Sequence, residues 1–408
     1  MAAAPDGARP REKEKTMRVL VSSAGTRGDV QPVLALALEV RRLGHDARLC
    51  VPPNFVEWVA GHGFDAVPMG VEMRRPAPGQ PPAPVPDLIT DQFDTLAAAV
   101  KGCDAVLGAN AHQYAARSVA ERAGLPYVTA VYAPVALPSP ELAPPPSPGE
   151  TWEPGRPGDN ERRWAATTAA WNARALERVN HNRARLGLAE IGDVLRHNVT
   201  DRPWLAADAT LGPAPAGLDV VQTGAWLLRD PAPLPAELAA FLDAGDPPVY
   251  VGFGSMPLPP DTSRAVVEAA RANGRRVVLA RGWADLAPVD DGPDCVSVGD
   301  VNQQALFARV AVAVHHGGAG TTVAAARAGV PQVVVPMFSD QFYWASRVVA
   351  LGVGTSASLA GLHAGTLNAA LHEALLPGVE ATAGATAWDV TTDGATAAAR
   401  LLVAAVSG

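Results

Sequence analysis

A glycine-rich turn between a run of small apolar residues and a helix-forming segment is the most constraining feature of this chain. The apolar run from Val310 ends at His315 and His316, a Gly-Gly-Ala-Gly turn follows, and Thr321 opens a segment suited to a helix. Glycines let the backbone approach a ligand closely, and the free N–H groups at a helix start attract phosphate. The pattern therefore predicts a strand, a turn and a helix that together hold a diphosphate.

The histidine before the glycines separates this turn from the common phosphate motifs. The spacing is neither the dinucleotide GxGxxG nor the Walker GxxxxGK[ST]. An imidazole at that place can donate a hydrogen bond or a positive charge to a phosphate oxygen. For the isolated segment, an ordinary strand-to-helix turn of a doubly wound domain, with two solvated histidines, stays the alternative.

Length, charge and cysteine usage narrow the class of protein. At 408 residues the chain exceeds what one hydrophobic core usually serves, so we expect about two to three domains. The formal net charge of −8 argues against nucleic acid as the main partner, since phosphate backbones are bound by clustered Lys and Arg. The three cysteines lie far apart without metal-ligand spacing, which argues against a disulfide framework or a structural zinc site and favours the cytoplasm.

The chain shows no signal for a membrane. It has no run of about 18 apolar residues, so no membrane span is expected. Residues 1–16 are charged and contain Pro and Gly, without the apolar core of a signal peptide. We interpret them as a disordered extension, with Met17 as an alternative start.

Strand and helix patterns alternate in two series along the chain. The first begins with the apolar run Met17–Ser23, followed by helical spacing from Val33 to Leu43 and by a second strand after Gly44. The segment 213–235, bracketed by Ala, Pro and Gly, is the predicted linker, and the rhythm restarts after it. We therefore expect two consecutive doubly wound α/β domains, 17–212 and 236–408, with a ligand in the cleft between their strand ends.

Two Pro-rich insertions interrupt this order. They occupy residues 74–87 and 134–157, where proline at high density disfavours both helices and central strands. We expect them to be surface loops of a functional or disordered kind.

Two loops at predicted strand ends carry polar residues suited to chemistry. In the first, Arg27 lies between glycines and can reach a phosphate, and Asp29 stands at a helix start. Asp29 either caps that helix or accepts a proton from a substrate hydroxyl, and the sequence leaves both open. In the second, Ser255 follows a strand and offers a small hydroxyl beside bare backbone.

A third such loop places Asp340 beside Gln341, and adjacent acceptors and donors suit a pair of sugar hydroxyls. The alternative for Asp340 is that it caps the helix predicted from Phe342 to Leu351.

Together these motifs resemble a known family. Residues 315–354, HHGGAGTTVAAARAGVPQVVVPMFSDQFYWASRVVALGVG, are similar to the donor-binding signature of the UDP-glycosyltransferase superfamily. The stretch MRVLVSSAGTRGDVQP at the start resembles the bacterial branch that glycosylates glycopeptide and polyketide antibiotics, and also the sterol glucosyltransferases. PWLAAD, VQTGAWLL, VYVGFGSM and LARGWADL fit that branch. The resemblance runs from Met17 to the C-terminus and lapses in the Pro-rich loops.

The resemblance implies a GT-B fold, in which two Rossmann-like doubly wound domains face each other across a cleft. The first domain would bind the acceptor and the second the nucleotide sugar, and the last helix is a candidate to pack back on the first domain. Asp29 falls on the family's general base, and Asp340 and Gln341 fall on the donor sugar. The residues that fall on the nucleotide and its diphosphate are Thr26, Arg27, Gly28, Ser255, Trp283, Val301, Gln303, His316, Gly317, Gly318, Ala319, Gly320 and Thr321. Asn302 departs from the family, since many members have proline there.

The implied reaction is an inverting, metal-independent transfer of a hexose from a UDP- or dTDP-sugar to a hydroxyl of a hydrophobic natural-product aglycone. No cofactor is expected, because the nucleotide sugar is a co-substrate. The chain also lacks a DxD motif, and Asp290 and Asp291 lie in a Gly/Pro-flanked loop. The sequence leaves open the sugar, the nucleotide, the acceptor and the oligomeric state.

Several rival functions have distinct signatures. A sterol or lipid glucosyltransferase would share the fold, and a non-catalytic auxiliary protein would bind nucleotide poorly. A nicotinamide oxidoreductase would carry GxGxxG in its first turn, which this chain lacks. A sugar-nucleotide epimerase would turn over the donor without an acceptor.

Overall fold

Two parallel β-sheets, each flanked by helices, make up the computed structural model, which describes residues 16–73, 87–110, 112–146, 150, 152–359 and 363–407. The expected extension 1–16 and the insertion 74–87 lie outside the described residues except for their last residue. Part of the insertion 134–157 also lies outside them. The two-domain α/β architecture confirms the predicted fold class.

The first sheet has seven parallel strands in the order β3-β2-β1-β4-β5-β6-β7. Its strands are β1 Arg18–Ser23, β2 Asp46–Val51, β3 Asp65–Pro68, β4 Ala105–Ala109, β5 Tyr127–Val131, β6 Trp204–Leu205 and β7 Val221–Gln222. The helices of this half are α1 Arg27–Arg42, α2 Val56–Gly61, α3 Leu88–Ala99, α4 Ala116–Ala123, α5 Pro157–Arg185 and α6 Val194–Val199. Because β1 pairs with both β2 and β4, the strand order reverses beside β1.

The second sheet has six parallel strands in the order β10-β9-β8-β11-β12-β13. Its strands are β8 Val249–Gly252, β9 Val277–Ala280, β10 Cys295–Val298, β11 Val312–His315, β12 Gln332–Val334 and β13 Gly354–Ser356. Its helices are α7 Ala236–Asp243, α8 Thr262–Ala272, α9 Gln303–Phe307, α10 Ala319–Arg327, α11 Gln341–Ala350, α12 Ala364–Ala374, α13 Pro377–Thr386 and α14 Gly394–Ser407. Here the order reverses between β8 and β11, which pair directly.

Helix α1 begins at Arg27, earlier than the apolar spacing from Val33 indicates. Thr26 and Asp29 form a capping box, in which the Asp29 carboxylate accepts from the Thr26 N–H, and this fixes the start. Pro32 lies inside the helix and removes only the bond to the carbonyl four residues earlier. Asp29 therefore belongs to the first helical turn, at the carboxyl end of β1.

The C-terminal helix α14 leaves the second domain and packs on the first. Ala395, Ala398 and Leu402 of α14 are buried in the same apolar cluster as β1 and α1. The Thr396 hydroxyl donates to the Glu39 carboxylate at 2.8 Å. The first sheet also takes in β7, which falls inside the segment 213–235 interpreted as a linker, so the connection between the sheets is shorter than that segment.

The two domains are held together by a buried apolar cluster and by polar contacts beside it. The cluster joins residues at the carboxyl side of the first sheet to α10 and α11 of the second domain. Asp208, fully buried, accepts from the Thr391 backbone N–H at 2.9 Å and from its hydroxyl at 3.0 Å. Arg347 donates to the carbonyls of Leu211 and Thr210 at 2.8 and 3.0 Å. The cleft thus has one closed side, along which the domains share a core.

Within the described residues, no helix is both long enough and apolar enough to cross a bilayer.

Candidate active site

The cleft lies where the strand order of both sheets reverses, which is where open α/β sheets bind ligands. On the first sheet, the loops after β1 and β4 bring Asp29 and Asn110 together. On the second sheet, the loops after β8 and β11 meet at Gly254, next to Ser255, where a Cβ would lie 3.4 Å from His316 Cε1. Ala319, at the start of α10, packs against the apolar core of the first domain, so the two loop sets face each other.

Asp29 is held by hydrogen bonds to both carboxylate oxygens. Its Oδ2 accepts from the Thr26 backbone N–H at 2.8 Å, and its Oδ1 accepts from Asn110 Nδ2 at 2.5 Å. Gly25 has φ +139°, and a Cβ on it would overlap the carboxylate, so glycine is required for this approach. Burial raises the pKa of Asp29, against the opposing effect of the Asn110 hydrogen bond. The result is an oriented carboxyl group whose basicity exceeds that of an exposed aspartate.

The backbone at Asp29 is fixed from two further directions. The Ser23 hydroxyl and the Tyr132 hydroxyl each donate to the Asp29 carbonyl oxygen at 2.9 Å. The carboxylate therefore projects from a turn whose main chain and side chain are both constrained.

Asn110 is a site residue that the sequence reasoning missed. It directly follows the predicted strand ending at Ala109, and it adopts φ 70°. A polar residue after a buried strand at the carboxyl edge of a parallel sheet was the available signal. Its pairing with Asp29 depends on β4 lying beside β1, which the sequence does not specify.

The two adjacent histidines have different surroundings. His315 is fully buried, its Nε2 lies 2.8 Å from Gln332 Oε1, and its Nδ1 accepts from the Gly317 N–H at 3.0 Å. Burial lowers the pKa of His315 to about 3, so it is a neutral structural residue that braces the turn. His316 has a buried Nδ1 with no hydrogen-bond partner in the described protein. An orphaned buried polar atom of this kind is uncommon and marks a place where a ligand can bind.

Burial also lowers the pKa of His316 to about 4. Its imidazole is therefore neutral near pH 7, and hydrogen bonding, rather than a positive charge, is what it offers a ligand in this state.

The two glycines directly after His316 are required by packing. Gly317 has φ +88°, and a Cβ on it would lie 2.8 Å from Val334 Cγ1 and 3.0 Å from the Gln341 carbonyl oxygen. A Cβ on Gly318 would lie 2.6 Å from His316 Nε2. Gly318 is the N-cap of α10 and makes no side-chain cap, so the first N–H groups of the helix lack intrahelical partners. The predicted strand, turn and helix are present, and they form an anion-binding geometry.

Asp340 lies at the N-cap position of α11, but its side chain does not cap that helix. Its Oδ2 instead accepts from Trp344 Nε1 at 3.0 Å. Burial, and then the charge of Asp29, raise the pKa of Asp340 to about 6. The two carboxylates thus sense each other across the cleft, one from each domain.

Gln341 has both ends of its carboxamide engaged by protein. Its Oε1 accepts from the Met337 N–H at 2.9 Å and the Phe338 N–H at 3.3 Å, and its Nε2 lies 3.4 Å from Met256 Sδ. The side chain thereby fixes the loop that carries Asp340, in which Ser339 has φ 57°.

Arg27 reaches the other domain. Its Nη1 lies 2.6 Å from Asp300 Oδ2, and its guanidinium lies 5.0 Å from the centre of the Trp58 ring. Thr26, the N-cap of α1, and exposed Gly28 complete this side of the cleft entrance.

The remaining predicted residues follow β8, β9 and β10. Ser255 is half-buried. Trp283 is 39% exposed, and its backbone N–H donates to the Gly254 carbonyl at 2.9 Å. This bond places Trp283 against the loop that carries Ser255. Val301 is half-buried, and Gln303 Nε2 donates to the Tyr250 hydroxyl at 2.9 Å.

Asn302, the departure from the family pattern, has a structural role. Its side chain accepts from the Ala305 N–H and so caps α9. Its Nδ2 donates to the carbonyls of Asp230 and Ala232, both at 2.8 Å. A proline at this position would lack that side chain, so here Asn302 ties the interdomain connection to the loop beside Val301.

Two family models match the two halves of the chain. Residues 19–139 match the Glycosyltransferase family 28 N-terminal domain. Residues 266–395 match the Erythromycin biosynthesis protein CIII-like, C-terminal domain. The first range contains Asp29 and Asn110, and the second contains His316 and Asp340.

Curated relatives extend the similarity over nearly the whole chain. The chain is 47% identical over 406 residues to the vancomycin aglycone glucosyltransferase of Amycolatopsis orientalis, covering 96% of this chain and 98% of that protein. It is 45% identical over 382 residues to the dTDP-epi-vancosaminyltransferase of the same organism, covering 90% of this chain and 92% of that protein.

Solved structures agree in fold. The glycotransferase of kitacinnamycin has a TM-score of 0.70 at 21% identity, covering 96% of this chain and 99% of that chain. The glycosyltransferase VinC, in complex with DTDP, has a TM-score of 0.67 at 21% identity, covering 96% of this chain and all of that chain. At these identities the likeness bears on the fold alone.

Two Rossmann-like domains with a cleft between their strand ends are the GT-B fold, and the family 28 match and the curated relatives show that the chain is a glycosyltransferase. With the family matches and the extent of identity, the chain belongs to the bacterial antibiotic-glycosyltransferase branch of the UDP-glycosyltransferase superfamily. The resemblance stated from the sequence is confirmed, and so is the prediction that the protein is an enzyme.

Proposed function

We propose that this enzyme transfers a hexose from a UDP- or dTDP-sugar to a hydroxyl of a glycopeptide antibiotic aglycone, with inversion and without a metal ion. The observation that carries the proposal is the Asp29 carboxylate, oriented by Thr26 and Asn110, facing the loops of the other domain that carry His316 and Asp340. Relatives named for the vancomycin aglycone and for dTDP-epi-vancosamine support the acceptor and donor classes.

Asp29 acts as the general base. The acceptor hydroxyl oxygen attacks the anomeric carbon of the sugar, and its proton passes to an Asp29 carboxylate oxygen. The bond from the anomeric carbon to the phosphate oxygen breaks, and the nucleoside diphosphate leaves with the electron pair. A carboxyl group with a raised pKa is a better base near neutral pH, and such catalysis contributes about 10² to 10⁴ in rate.

The His-Gly-Gly turn, residues 315–321, stabilises the leaving group. The unpartnered His316 Nδ1 lies at this turn, and the free N–H groups of Ala319, Gly320 and Thr321 open α10. Donors already in place where negative charge develops are the main source of such stabilisation. An arriving diphosphate also favours protonation of His316, since an adjacent anion raises the pKa of an imidazole.

The sugar lies against the loop of Asp340 and Gln341. Asp340 retains lone pairs for sugar hydroxyls beyond its bond to Trp344. Gln341 contributes by holding the loop through the Met337 and Phe338 N–H groups.

The nucleoside lies beside Trp283, whose ring is partly exposed and can stack on a base, with Val301 and Gln303 at its edge. The phosphate side of the site is lined by Thr26, Arg27, Gly28 and Ser255. When the donor binds, the Arg27 guanidinium leaves its ion pair with Asp300 and binds a phosphate oxygen. We assign the acceptor to the first domain and the donor to the second.

In this mechanism, groups of the protein and not a metal ion stabilise the negative charge on the departing nucleoside diphosphate. The described residues contain no group of three or more His, Cys, Asp or Glu side chains placed to hold a metal ion. No cofactor enters the proposed reaction, because both substrates carry the reacting groups.

Transfer assays with the full chain test the substrate assignment. UDP-glucose and a panel of dTDP-sugars are each offered with vancomycin aglycone, a macrolide aglycone and a sterol, and products are identified by mass spectrometry. We expect a hexosylated glycopeptide, with an inverted anomeric configuration by NMR. Transfer to the sterol alone, retention of configuration, donor turnover without acceptor, or no turnover at all would each overturn a stated part of the proposal.

The Asp29→Asn variant tests the base. We expect kcat to fall by about 10² to 10⁴ while the affinity for UDP or dTDP, measured by titration calorimetry, is unchanged. Glu57→Gln, which neutralises an exposed carboxylate on α2, is the matched control and should keep full activity. An Asp29→Asn enzyme with normal turnover contradicts the assigned role.

A further inference from the structure

Trp344 connects the Asp340 carboxylate to the packing between the domains. The side chain is fully buried, and its Nε1 donates to Asp340 Oδ2 at 3.0 Å. Because Asp340 is at the N-cap of α11 without capping it, the indole is the hydrogen-bond partner that sets the direction of this carboxylate. The bond spans one helical turn of α11.

The indole ring itself lies in the interdomain core. It belongs to the apolar cluster that combines first-domain residues such as Leu205 and Leu211 with α10 and α11 of the second domain. A Cβ on Gly212, in the first domain, would lie 2.9 Å from one ring carbon of Trp344 and 3.2 Å from another. The first domain therefore contacts the same ring whose N–H holds Asp340.

Neighbours on α11 reinforce the docking. Tyr343 contacts the Trp344 ring and, edge-on, the ring of Trp152 of the first domain, with centroids 5.2 and 5.8 Å away. Arg347, about one turn further along, binds the backbone carbonyls of Thr210 and Leu211. One face of α11 is thus fitted to the first domain, and its N-terminus presents Asp340 to the cleft.

We propose that Trp344 is a positioning residue for the donor sugar, because its ring docks on the first domain while its N–H aims Asp340 at the hexose hydroxyls. Donor-sugar orientation then depends on the contact between the domains, and not only on the second domain that holds the nucleotide. This inference rests on the proposed role of Asp340 in binding the sugar.

A double-mutant cycle separates the effect of the Trp344 N–H on the Asp340 side chain from the effect of the Trp344 ring on the packing between the domains. Trp344→Phe keeps an aromatic ring at the interface and removes the N–H donor. We expect it to lower kcat/KM for the nucleotide sugar about tenfold, the usual effect of losing a hydrogen bond to a charged group, with the affinity for free UDP or dTDP unchanged. In an Asp340→Ala background, where no acceptor remains for the indole N–H, the same substitution should have little further effect. Arg347→Met loosens the docking on which this aim depends, so its effect on kcat/KM for the nucleotide sugar should be smaller in the background that lacks the Asp340 carboxylate.

A spectroscopic measurement on the unaltered enzyme covers the case in which Trp344→Phe folds poorly. The indole N–H resonance of Trp344 should shift with pH as Asp340 titrates, and it should stay constant in Asp340→Asn. A Trp344→Phe effect of equal size in both backgrounds, or an indole resonance that ignores Asp340, overturns this inference and leaves the proposed function intact. Undiminished turnover in Asp340→Asn itself overturns the proposed sugar role instead.

Discussion

At the scale of single residues, the unpartnered Nδ1 of His316 is a candidate contact for a bound ligand. Its Nδ1 is buried with no partner in the described protein, whereas both nitrogens of His315 are engaged. Other buried side-chain nitrogens, such as Arg276 Nε and Gln332 Nε2, also have no partner among the described residues, so it is the position of His316 beside the start of α10 that makes it a candidate ligand-binding residue.

We predict that His316→Ala weakens the binding of UDP or dTDP about tenfold or more, since a hydrogen bond to a charged group contributes about 1.5–3 kcal/mol. Titration calorimetry measures it directly. Asp29→Asn serves as the comparison, because it alters the cleft without removing a phosphate ligand. Equal nucleotide affinities for wild type and His316→Ala would show that the turn does not hold the diphosphate through this histidine.

Asp340 makes a pH-dependent contribution to stability. Its ordinary pKa of 3.8 is raised to about 6 by burial and by Asp29. A raised carboxyl pKa means that the folded state favours the protonated form, so its contribution is fully present below about pH 4 and is lost as the pH rises through about 6.

Asp340→Asn should therefore unfold at a higher temperature or urea concentration than wild type at pH 7.5. The gain is up to about 3 kcal/mol, and the difference should disappear near pH 4. Urea denaturation at the two pH values measures it. A variant that is equally stabilised at both values, or destabilised at pH 7.5, contradicts the electrostatic cause.

The sequence left two interpretations of Asp29 open, a helix cap or a proton acceptor, and its hydrogen bonds are compatible with both. It accepts from the N-cap N–H of α1 through Oδ2 and from Asn110 through Oδ1. Oδ2 also accepts from the Thr26 hydroxyl at 3.5 Å, whereas Oδ1 keeps a second lone pair, so helix capping does not prevent the carboxylate from accepting a proton. Capping instead holds in place the carboxylate that we propose as the base.

At the scale of elements, the glycines of the turn between β11 and α10 differ in what they do. Gly317 has a positive φ and no room for a Cβ, whereas a Cβ on Gly320, in the first turn of α10, would meet no atom within 4 Å. The same substitution should therefore have opposite effects at two positions separated by three residues.

We predict that Gly317→Ala destabilises the protein by about 1–3 kcal/mol, through backbone strain and overlap with Val334. Gly320→Ala should be neutral or stabilise by about 0.5–1 kcal/mol, because alanine favours helix more than glycine does. Thermal unfolding of both variants gives the answer. If the two alanines have equal effects, the turn is not held in the geometry described.

Elements with long apolar runs were predictable, and short or pattern-poor ones were not. The runs that form β1, β4, β8 and β11 are buried on both faces, as parallel strands are, so hydrophobicity alone marks them. Strands β6 and β7 have two residues each and are defined by hydrogen bonds to a neighbouring strand. Because they are so short, they show no hydrophobic periodicity from which they could be predicted. The start of α1 does not show in the apolar spacing, because a capping box determines it, and the sequence offered only Asp29 as a possible cap.

At the scale of the whole molecule, one ion pair crosses the open side of the cleft. Arg27 of the first domain and Asp300 of the second are both substantially exposed and lie 2.6 Å apart. Exposed pairs contribute little, about 0.2–1 kcal/mol, and salt screens them. The pair can therefore be broken at little cost in free energy when the donor binds.

We predict that Asp300→Asn lowers KM for the nucleotide sugar by up to about fivefold at low ionic strength, because Arg27 no longer has to leave Asp300 to reach a phosphate oxygen, and that the difference vanishes in about 0.5 M salt. Steady-state kinetics at both salt concentrations measure this. Asp291→Asn removes the same charge from an exposed position that has no ion pair among the described residues, and it should have no such effect. A change larger than tenfold, or one that high salt leaves intact, would mean that Asp300 acts in some other way.

By itself the sequence determined the alternation of strands and helices, the two doubly wound domains and the loops that carry the polar residues. These follow from local hydrophobicity, from turn-forming glycines and from the rule that parallel sheets bind ligands at their carboxyl edges. Only the tertiary structure decided which of those residues meet. The contacts that decide the site join segments far apart in the chain. They are the Asn110–Asp29 hydrogen bond, the interaction of Asp29 with Asp340, the Arg27–Asp300 pair and the packing of Trp344 against Gly212. Strand order and domain docking create such contacts, and neither leaves a local pattern in the residues that it brings together.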